Sequence, residues 1–554
     1  MRFVLTILIS VFSVTSAFAQ DVRKPPSAAV VSAHPKATQA GLDILANGGN
    51  AYDAAIAVSA MLGVVEPYSA GLGGGGFWLL YDAKSNAYSV LDARETAPLA
   101  ATANMYLDAQ GNIIKGASMK GPLSAGIPGL PAAFVELDKS GNLTLEEILT
   151  PAIDAAQKGF PVDARYVNGV RVKKDFLLEN QEAASIFLDN GNVPEQGWLL
   201  KQPDLAQTLR LIAKDGHAGF YNGPVAEKMV TDVKAHGGIW ALEDFKSYKI
   251  IKRDPMVFNY KNAKIIAPPL PSSGGVVLHN IFNILSGYDL STYSGVDQKH
   301  LNIEAMRHAY FHRVFMGDSD FVDVPVEKIT SNEMAQVQRS KIDLDRALPS
   351  ATLMEVTAEN KGADTTHFSV IDKDGNRVAV TQSINFWFGS GFVPKGTGVL
   401  LNNEMDDFTI KTGAANGYGL VGTKANAVAP GKRMLSSMTP TFVENDRGMM
   451  MIGTPGGSRI ISMNLLGILG FLEGKSAKEI NAMKRYHHQF MPDEAVYEGG
   501  ALSREEEQAL EAKGHILKKS NRDYGNMQII IWDYENNTLD TASDPRGEGA
   551  GRVY

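Results

Sequence analysis

The sequence predicts an α+β protein in which helices flank a sheet, and three features of its pattern predict this. Apolar residues recur at intervals of three and four between 37 and 65, the middle of the chain from about 140 to 345 is mostly helical in pattern, and from Thr365 the period changes to two. With 554 residues the chain is long enough for several cores, since a single core stops growing near about 250–300 residues. Apolar residues make up 44% and charged residues 21%, the balance of a compact globular protein and not of a disordered or fibrous one.

The elements follow in chain order. Residues 1–19 read as an export signal cleaved after Ala19: one cation at Arg2, an apolar run from Phe3 to about Val14, and the small-residue pattern Ala17-Phe18-Ala19. The run is short of the roughly 20 apolar residues that a spanning helix needs. The expected location is therefore the periplasm or the medium. Next, ATQAGLDILANGGNAYDAAIAVSAMLGVVEP reads as two helices, with Gly48-Gly49 stopping the first and Asn50 capping the second. GLGGGGFWLLYDA passes from a glycine loop into a strand, and AYSVLDARETAP gives a second strand ending at Asp92 and Arg94. In the middle, TLEEILTPAIDAAQKG and QKHLNIEAMRHAYFHRVFM are the clearest helices, a helical flank for the sheet. From Thr365, TTHFSVID alternates, KDGN supplies a turn with Asp374-Gly375, and RVAVTQSI returns, so a hairpin begins there. The preceding TAENKGAD is small, polar and Gly-containing, the composition of an exposed loop that can be cut.

Composition and motifs exclude several chemistries. A net charge of −8 with no long Lys/Arg block argues against a nucleic-acid partner. The absence of cysteine rules out disulfides, thiolate metal sites, iron–sulfur clusters and a cysteine nucleophile, so covalent catalysis must use Ser, Thr or another side chain. Gly71 to Gly76 formally satisfies G-x-G-x-x-G, but the order is helix, loop, strand, the reverse of a dinucleotide site; the glycines instead let backbone pack closely against another element or a substrate. His308 and His312 stand one turn apart with Glu304 a turn earlier, a spacing compatible with a metal, but no further ligand is recognisable and Arg313 places a cation beside them, so helix packing is expected. His487-His488, being adjacent, should point apart. No G-x-S-x-G occurs, which counts against the nucleophile elbow.

Thr365 remains. A threonine hydroxyl attacks a carbonyl only with a base beside it. Were Thr365 the first residue of a chain, its own α-amine, with a pKa of about 7.7–8.0, would stand within reach of the hydroxyl and could take its proton. Taken alone the position favours an ordinary strand residue, because Thr is common at strand starts.

The stretches GLGGGGF, ARETAP, DTTHFSVIDKDGN, LLNNEMDDF, YGLV, LSSMTPT, GTPGGSRI and ASDPR occur in the order seen in the γ-glutamyltranspeptidase (glutathione hydrolase) family, which the chain resembles from about residue 27 to its C-terminus. That family belongs to the N-terminal nucleophile hydrolases. The resemblance implies a four-layer αββα sandwich, one composite domain built from a large chain, 20–364, and a small chain, 365–554, both from one self-cleaving precursor cut between Asp364 and Thr365. It implies Thr365 as nucleophile and its freed amine as base, Ser383 as the hydroxyl supporting that amine, and Gly456 and Gly457 as oxyanion-hole donors. Substrate contacts carried over are Arg94, Ser436 and Ser437 for an α-carboxylate, Asn385, Glu404 and Asp407 for an α-ammonium, and Tyr418 on a lid between Asp407 and Gly419. Phe386 and Trp387 stand where many bacterial members have small hydroxyl residues, and Glu404 replaces a glutamine that some carry; both changes should preserve γ-glutamyl recognition while altering the pocket wall and acceptor choice.

The implied activity is transfer of the γ-glutamyl group of glutathione to water or to amino acid and peptide acceptors, through a Thr-linked ester and without metal or organic cofactor. Alternatives are a related glutaryl (cephalosporin) acylase, a poly-γ-glutamate hydrolase or transferase, and a periplasmic γ-glutamyl-binding protein that never matures. A glutaryl group has no amine, so Asn385, Glu404 and Asp407 argue against the acylase.

Overall fold

In the computed structural model, residues 23–354 and 365–554 are described. The expected export signal and the loop ending at Asp364 lie outside them. Two antiparallel sheets carry the fold. Their strands are β1 (Ala29–Ser32), β2 (Gly75–Asp82), β3 (Ala87–Ala93), β4 (Ile251–Arg253), β5 (Met256–Tyr260), β6 (Ala263–Ala267), β7 (Thr366–Ile371), β8 (Arg377–Ser383), β9 (Thr441–Asn445), β10 (Gly448–Gly453), β11 (Gln528–Asp533), β12 (Thr538–Ser543) and β13 (Ala550–Val553). The first sheet runs β13-β1-β7-β8-β2-β3-β4 and the second β12-β11-β10-β9-β6-β5.

Side-chain alternation explains how the sheets stack. On β2, Phe77, Leu79 and Tyr81 face Phe442, Met449, Met451, Ile530 and Trp532 of the second sheet and make the core between the sheets. Trp78 and Leu80 point the other way, into a core shared with the helices α1 (Pro35–Ala46) and α2 (Ala51–Val65). On the second sheet Met450, Ile452, Ile529 and Ile531 face away from the first, onto α3 (Gly274–Leu285), α4 (Gly295–Arg313) and α5 (Arg459–Leu472). Helix, sheet, sheet, helix is the four-layer αββα sandwich that the resemblance implied.

The local expectations hold where they bear on the site. Asn50 caps α2: its Oδ1 accepts the N–H groups of Tyr52 and Asp53, while Asp53 accepts the N–H of Asn50, a reciprocal box. The β7–β8 hairpin turns at Gly375 with φ 93°, and Asp372 accepts the N–H groups of Asp374 and Asn376. The glycine run packs against protein backbone. A Cβ on Gly74 would lie 2.0 Å from the Ser383 carbonyl oxygen, and one on Gly73 2.0 Å from that of Leu400. The glycines thus let β2 and its approach press against β8 and the 400–401 segment, which places Ser383.

Candidate active site

Thr365 immediately precedes β7 and is buried. Because Thr366 pairs with Gln382 across the hairpin, Thr365 falls beside Ser383, and its hydroxyl reaches the Ser383 Oγ at 3.4 Å. Ser383 Oγ also accepts the Asn385 N–H at 2.7 Å. One narrow pocket is lined by Thr365, Ser383, Arg94, Asn385, Glu404, Asp407, Tyr418, Ser436, Ser437 and Gly457. The structure therefore brings together ten of the residues singled out from sequence, drawn from seven separate stretches of chain. Gly456 lines the adjoining cleft.

The polar walls differ in kind. Arg94, fully buried, donates to Glu404 Oε2 at 2.6 Å and to Asp407 Oδ2 at 2.5 Å, and its Nε reaches the Met434 carbonyl at 3.3 Å. Here the cation expected to meet a carboxylate and the two anions expected to meet an ammonium hold one another. Burial opposes the Arg94 charge, but Glu404, Asp407 and Glu95 outweigh it and raise the pKa above its ordinary value. Burial pushes the Glu404 carboxyl up to about 7, Arg94 opposing and Asp407 adding to the rise.

On the other wall, Ser437 Oγ is buried with no hydrogen-bond partner among the described residues, and Ser436 Oγ accepts the Met438 N–H at 3.1 Å, leaving its proton to donate. Asn385 takes φ 77° and donates its Nδ2 to the Asn403 carbonyl at 2.9 Å; its own carbonyl accepts the Tyr418 hydroxyl at 3.0 Å. The Asn385 amide N–H groups are thus partly committed, and what it offers an ammonium is Oδ1.

Gly456 and Gly457 have φ 147° and 56°, a backbone that L side chains rarely adopt. Among the described residues neither of their N–H groups donates to a protein acceptor. The Tyr418 ring lies over Gly457, where a Cβ would come within 2.4 Å of it, and stacks on Phe386 at 4.6 Å between centroids and 16° between planes. The lid segment is also held by Asp406, which accepts the Gly417 N–H and the Ser118 hydroxyl.

Two site residues escaped the sequence reading. Arg313, at the end of α4, lines the same pocket and donates to Ser273 Oγ at 3.0 Å; burial lowers its pKa to about 10 although Asp407 opposes that. Its signal was present as a cation at a helix end, read only as a neighbour of His312. Glu95 is fully buried beside Arg94, both oxygens lacking a hydrogen bond among the described residues, and burial with Glu404 pushes its carboxyl far up. The pocket itself is lined by two cations, Arg94 and Arg313, and two carboxyl groups, Glu404 and Asp407.

Of the remaining histidines, His308 is buried on α4, and His487 and His488 diverge as expected, toward Ser462 and Asp493 respectively. His300, Glu304 and His515 come together, but His300 and His515 are hydrogen-bonded to each other at 2.7 Å and Glu304 is paired with Arg307.

Comparison with known proteins agrees with this geometry. The family model for γ-glutamyltranspeptidase matches residues 37–554. The chain is 43% identical over 492 residues to a glutathione hydrolase proenzyme of Pseudomonas sp. strain A14, covering 88% of this chain and 85% of that one, and 40% identical over 527 residues to the glutathione hydrolase proenzyme of Escherichia coli K12, covering 93% and 90%. Among solved structures, a cephalosporin acylase from Bacillus halodurans matches with a TM-score of 0.84 and 27% identity over 99% of both chains. The Helicobacter pylori γ-glutamyltranspeptidase matches with a TM-score of 0.56 and 38% identity over 60% of this chain and 94% of that one. Matched by the family model over residues 37–554 and by relatives at 40% and 43% identity over most of both chains, the protein belongs to the γ-glutamyltranspeptidase family.

Proposed function

We propose that Thr365 is the nucleophile with which this γ-glutamyltransferase and glutathione hydrolase works, and that the peptide bond after Asp364 is cut to free its α-amine. The Thr365 hydroxyl attacks the Asp364 carbonyl, the peptide becomes an ester, and water releases it. The result is a large chain, 20–364, and a small chain, 365–554, of 554 − 364 = 190 residues. The matched Helicobacter pylori chain corresponds to 60% of this one, close in size to the 345 of 554 residues that 20–364 comprises.

In turnover the freed amine takes the hydroxyl proton as Oγ1 attacks the γ-carbonyl carbon. The oxygen gains negative charge and receives the Gly456 and Gly457 N–H groups. The C–N bond breaks, the amine base returns its proton to the leaving nitrogen, and a γ-glutamyl ester remains on Thr365. Water or an acceptor amine repeats the sequence in reverse. The α-carboxylate lies against Arg94, Ser436 and Ser437, and the ammonium against Glu404, Asp407 and Asn385 Oδ1, each replacing part of the Arg94 pairing. The observation that carries the reading is the unengaged pair of glycine N–H groups in the pocket system that holds Thr365 and these charges. Thr365→Ala tests it: the variant should remain one chain and release no glutamate from glutathione.

The likeness to a cephalosporin acylase favours a second reading, a glutaryl acylase. Two anions in the pocket oppose it, since a glutaryl group brings no ammonium to meet them. Turnover of γ-glutamyl against glutaryl anilides decides. Export to the periplasm or medium rests on residues 1–19; among the described residues no helix is long and apolar enough to cross a membrane.

A further inference from the structure

Donors that stabilise an oxyanion must stay where the charge develops, and glycine has no side chain with which to fix a turn. What fixes Gly456 and Gly457 lies behind the pocket wall. The two residues lead directly into α5, their carbonyls accepting the Arg459 and Ile460 N–H groups at 3.1 and 3.2 Å. Ser458 stands at the N-cap of α5, where a serine ordinarily turns its hydroxyl back onto the first turn of its own helix. Here it makes no such bond. Ser458 Oγ donates instead to Gln489 Oε1 at 2.6 Å, and the Ser458 carbonyl accepts the Tyr310 hydroxyl from α4.

Gln489 is buried, and its side-chain amide uses all four of its hydrogen-bonding positions. Oε1 accepts Ser458 Oγ and, at 2.9 Å, His487 Nε2; Nε2 donates to the Tyr418 carbonyl on the lid and to the Met491 carbonyl, both at 3.1 Å. The two carbonyls can only accept, so the amide has one orientation. His487 therefore carries its proton on Nε2, and its Nδ1 faces the Ser462 hydroxyl of α5 at 2.8 Å, a second tie to the same helix. Burial lowers the His487 pKa to about 3, so this link stays neutral. One side chain thus joins the head of α5, the lid and the segment 487–491.

We propose that Gln489 is a positioning residue for the reaction: through Ser458 it holds the Gly456 and Gly457 N–H groups in place for the oxyanion, and through the Tyr418 carbonyl it holds the lid, so that lid closure and oxyanion binding are coupled. Gln489 is not among the residues that line the pocket, whereas Tyr418, Gly457 and Ser458 are, so it acts through them. The proposal rests on the reading of Thr365 and the two glycines given above.

The test compares matured wild-type enzyme with Ser458→Ala, Gln489→Met and, as a reference, Gly457→Ala. Two inhibitors compete with γ-glutamyl-p-nitroanilide: glutamate, which fills the pocket without a tetrahedral centre, and its analogue with a boronic acid in place of the γ-carboxyl. Boron accepts the Thr365 oxygen, the hydroxyl proton passes to the α-amine, and the tetrahedral adduct sets its negative charge beside the glycines. Ser458→Ala cuts one tie only; it should weaken the boronate and lower kcat about tenfold while glutamate binds within about twofold of wild type. Gln489→Met cuts both, and should add a severalfold loss of glutamate affinity. A loss of packing alone would weaken the two inhibitors alike. Ser458→Ala removes a single hydroxyl and decides the matter if Gln489→Met does not fold. A boronate-to-glutamate ratio that falls in Gly457→Ala but not in the other two overturns the positioning role, and unchanged glutamate affinity in Gln489→Met overturns the coupling to the lid. A ratio that stays put in all three overturns instead the glycine reading on which the proposal rests.

Discussion

On the proposed reading, Ser437 and Gly457 are single residues set for a ligand and not for the fold. Among the described residues Ser437 Oγ has no hydrogen-bond partner to lose. Ser437→Ala should therefore leave the melting temperature unchanged while raising KM for γ-glutamyl donors about tenfold, read by steady-state kinetics. Gly457→Ala adds a Cβ 2.4 Å from the Tyr418 ring at φ 56°, displacing an oxyanion donor; kcat should fall by roughly 10²–10³, with chain cleavage followed separately on gels. Glu404 titrates near 7, so its ionised fraction grows from pH 6 to 8 and KM for a donor bearing an ammonium should fall over that interval. Glu404→Gln should flatten the KM profile and leave the kcat dependence on the Thr365 amine. At this scale the sequence spoke through strings: GTPGGSRI and LLNNEMDDF marked residues that the fold does gather. Arg313, visible only as a cation at a helix end, and Glu95 were missed because their surroundings arise from burial against residues remote in sequence, such as Ser273 and Glu404.

The lid shows what an element adds to its residues. Tyr418 is held between Phe386 and Gly457, its hydroxyl on the Asn385 carbonyl, and Asp406 fastens the Gly417 N–H. The stack with Phe386 is worth roughly 0.5–1.5 kcal/mol beyond its area. Phe386→Ser should loosen closure, raising KM severalfold and speeding limited proteolysis between 409 and 422. Caps and turns were legible because their residue types report local backbone geometry: the cap at Asn50, the stop at Gly48-Gly49 and the Asp374-Gly375 turn all stand where the pattern put them. The strands of the second sheet were not. Met449, Met450, Met451 and Ile452 are buried on both faces, so the run is uniformly apolar and its period of two is hidden. The glycine run was left open between packing on an element and on a substrate; Ser383 and Leu400 backbone settle it for the element.

Across the whole molecule, the proposed cut separates pieces that the sheets interleave. β1, from before the cut, lies between β13 and β7, from after it, while β5 and β6 complete a sheet whose other four strands come after it. The cores between the layers draw on both pieces. The two chains should therefore co-elute on gel filtration and part only in denaturant, with one cooperative melting transition. The four-layer stack itself was not readable from periodicity and came from the family resemblance, because layer order depends on pairings between strands hundreds of residues apart, such as Ala29 with Val553. The measurement that bears most directly on the whole account is mass spectrometry of enzyme quenched during turnover of a γ-glutamyl donor. A small chain that begins at Thr365 and carries one γ-glutamyl group on its first residue is the predicted result; an intact, unlabelled chain that nevertheless turns the donor over would contradict it.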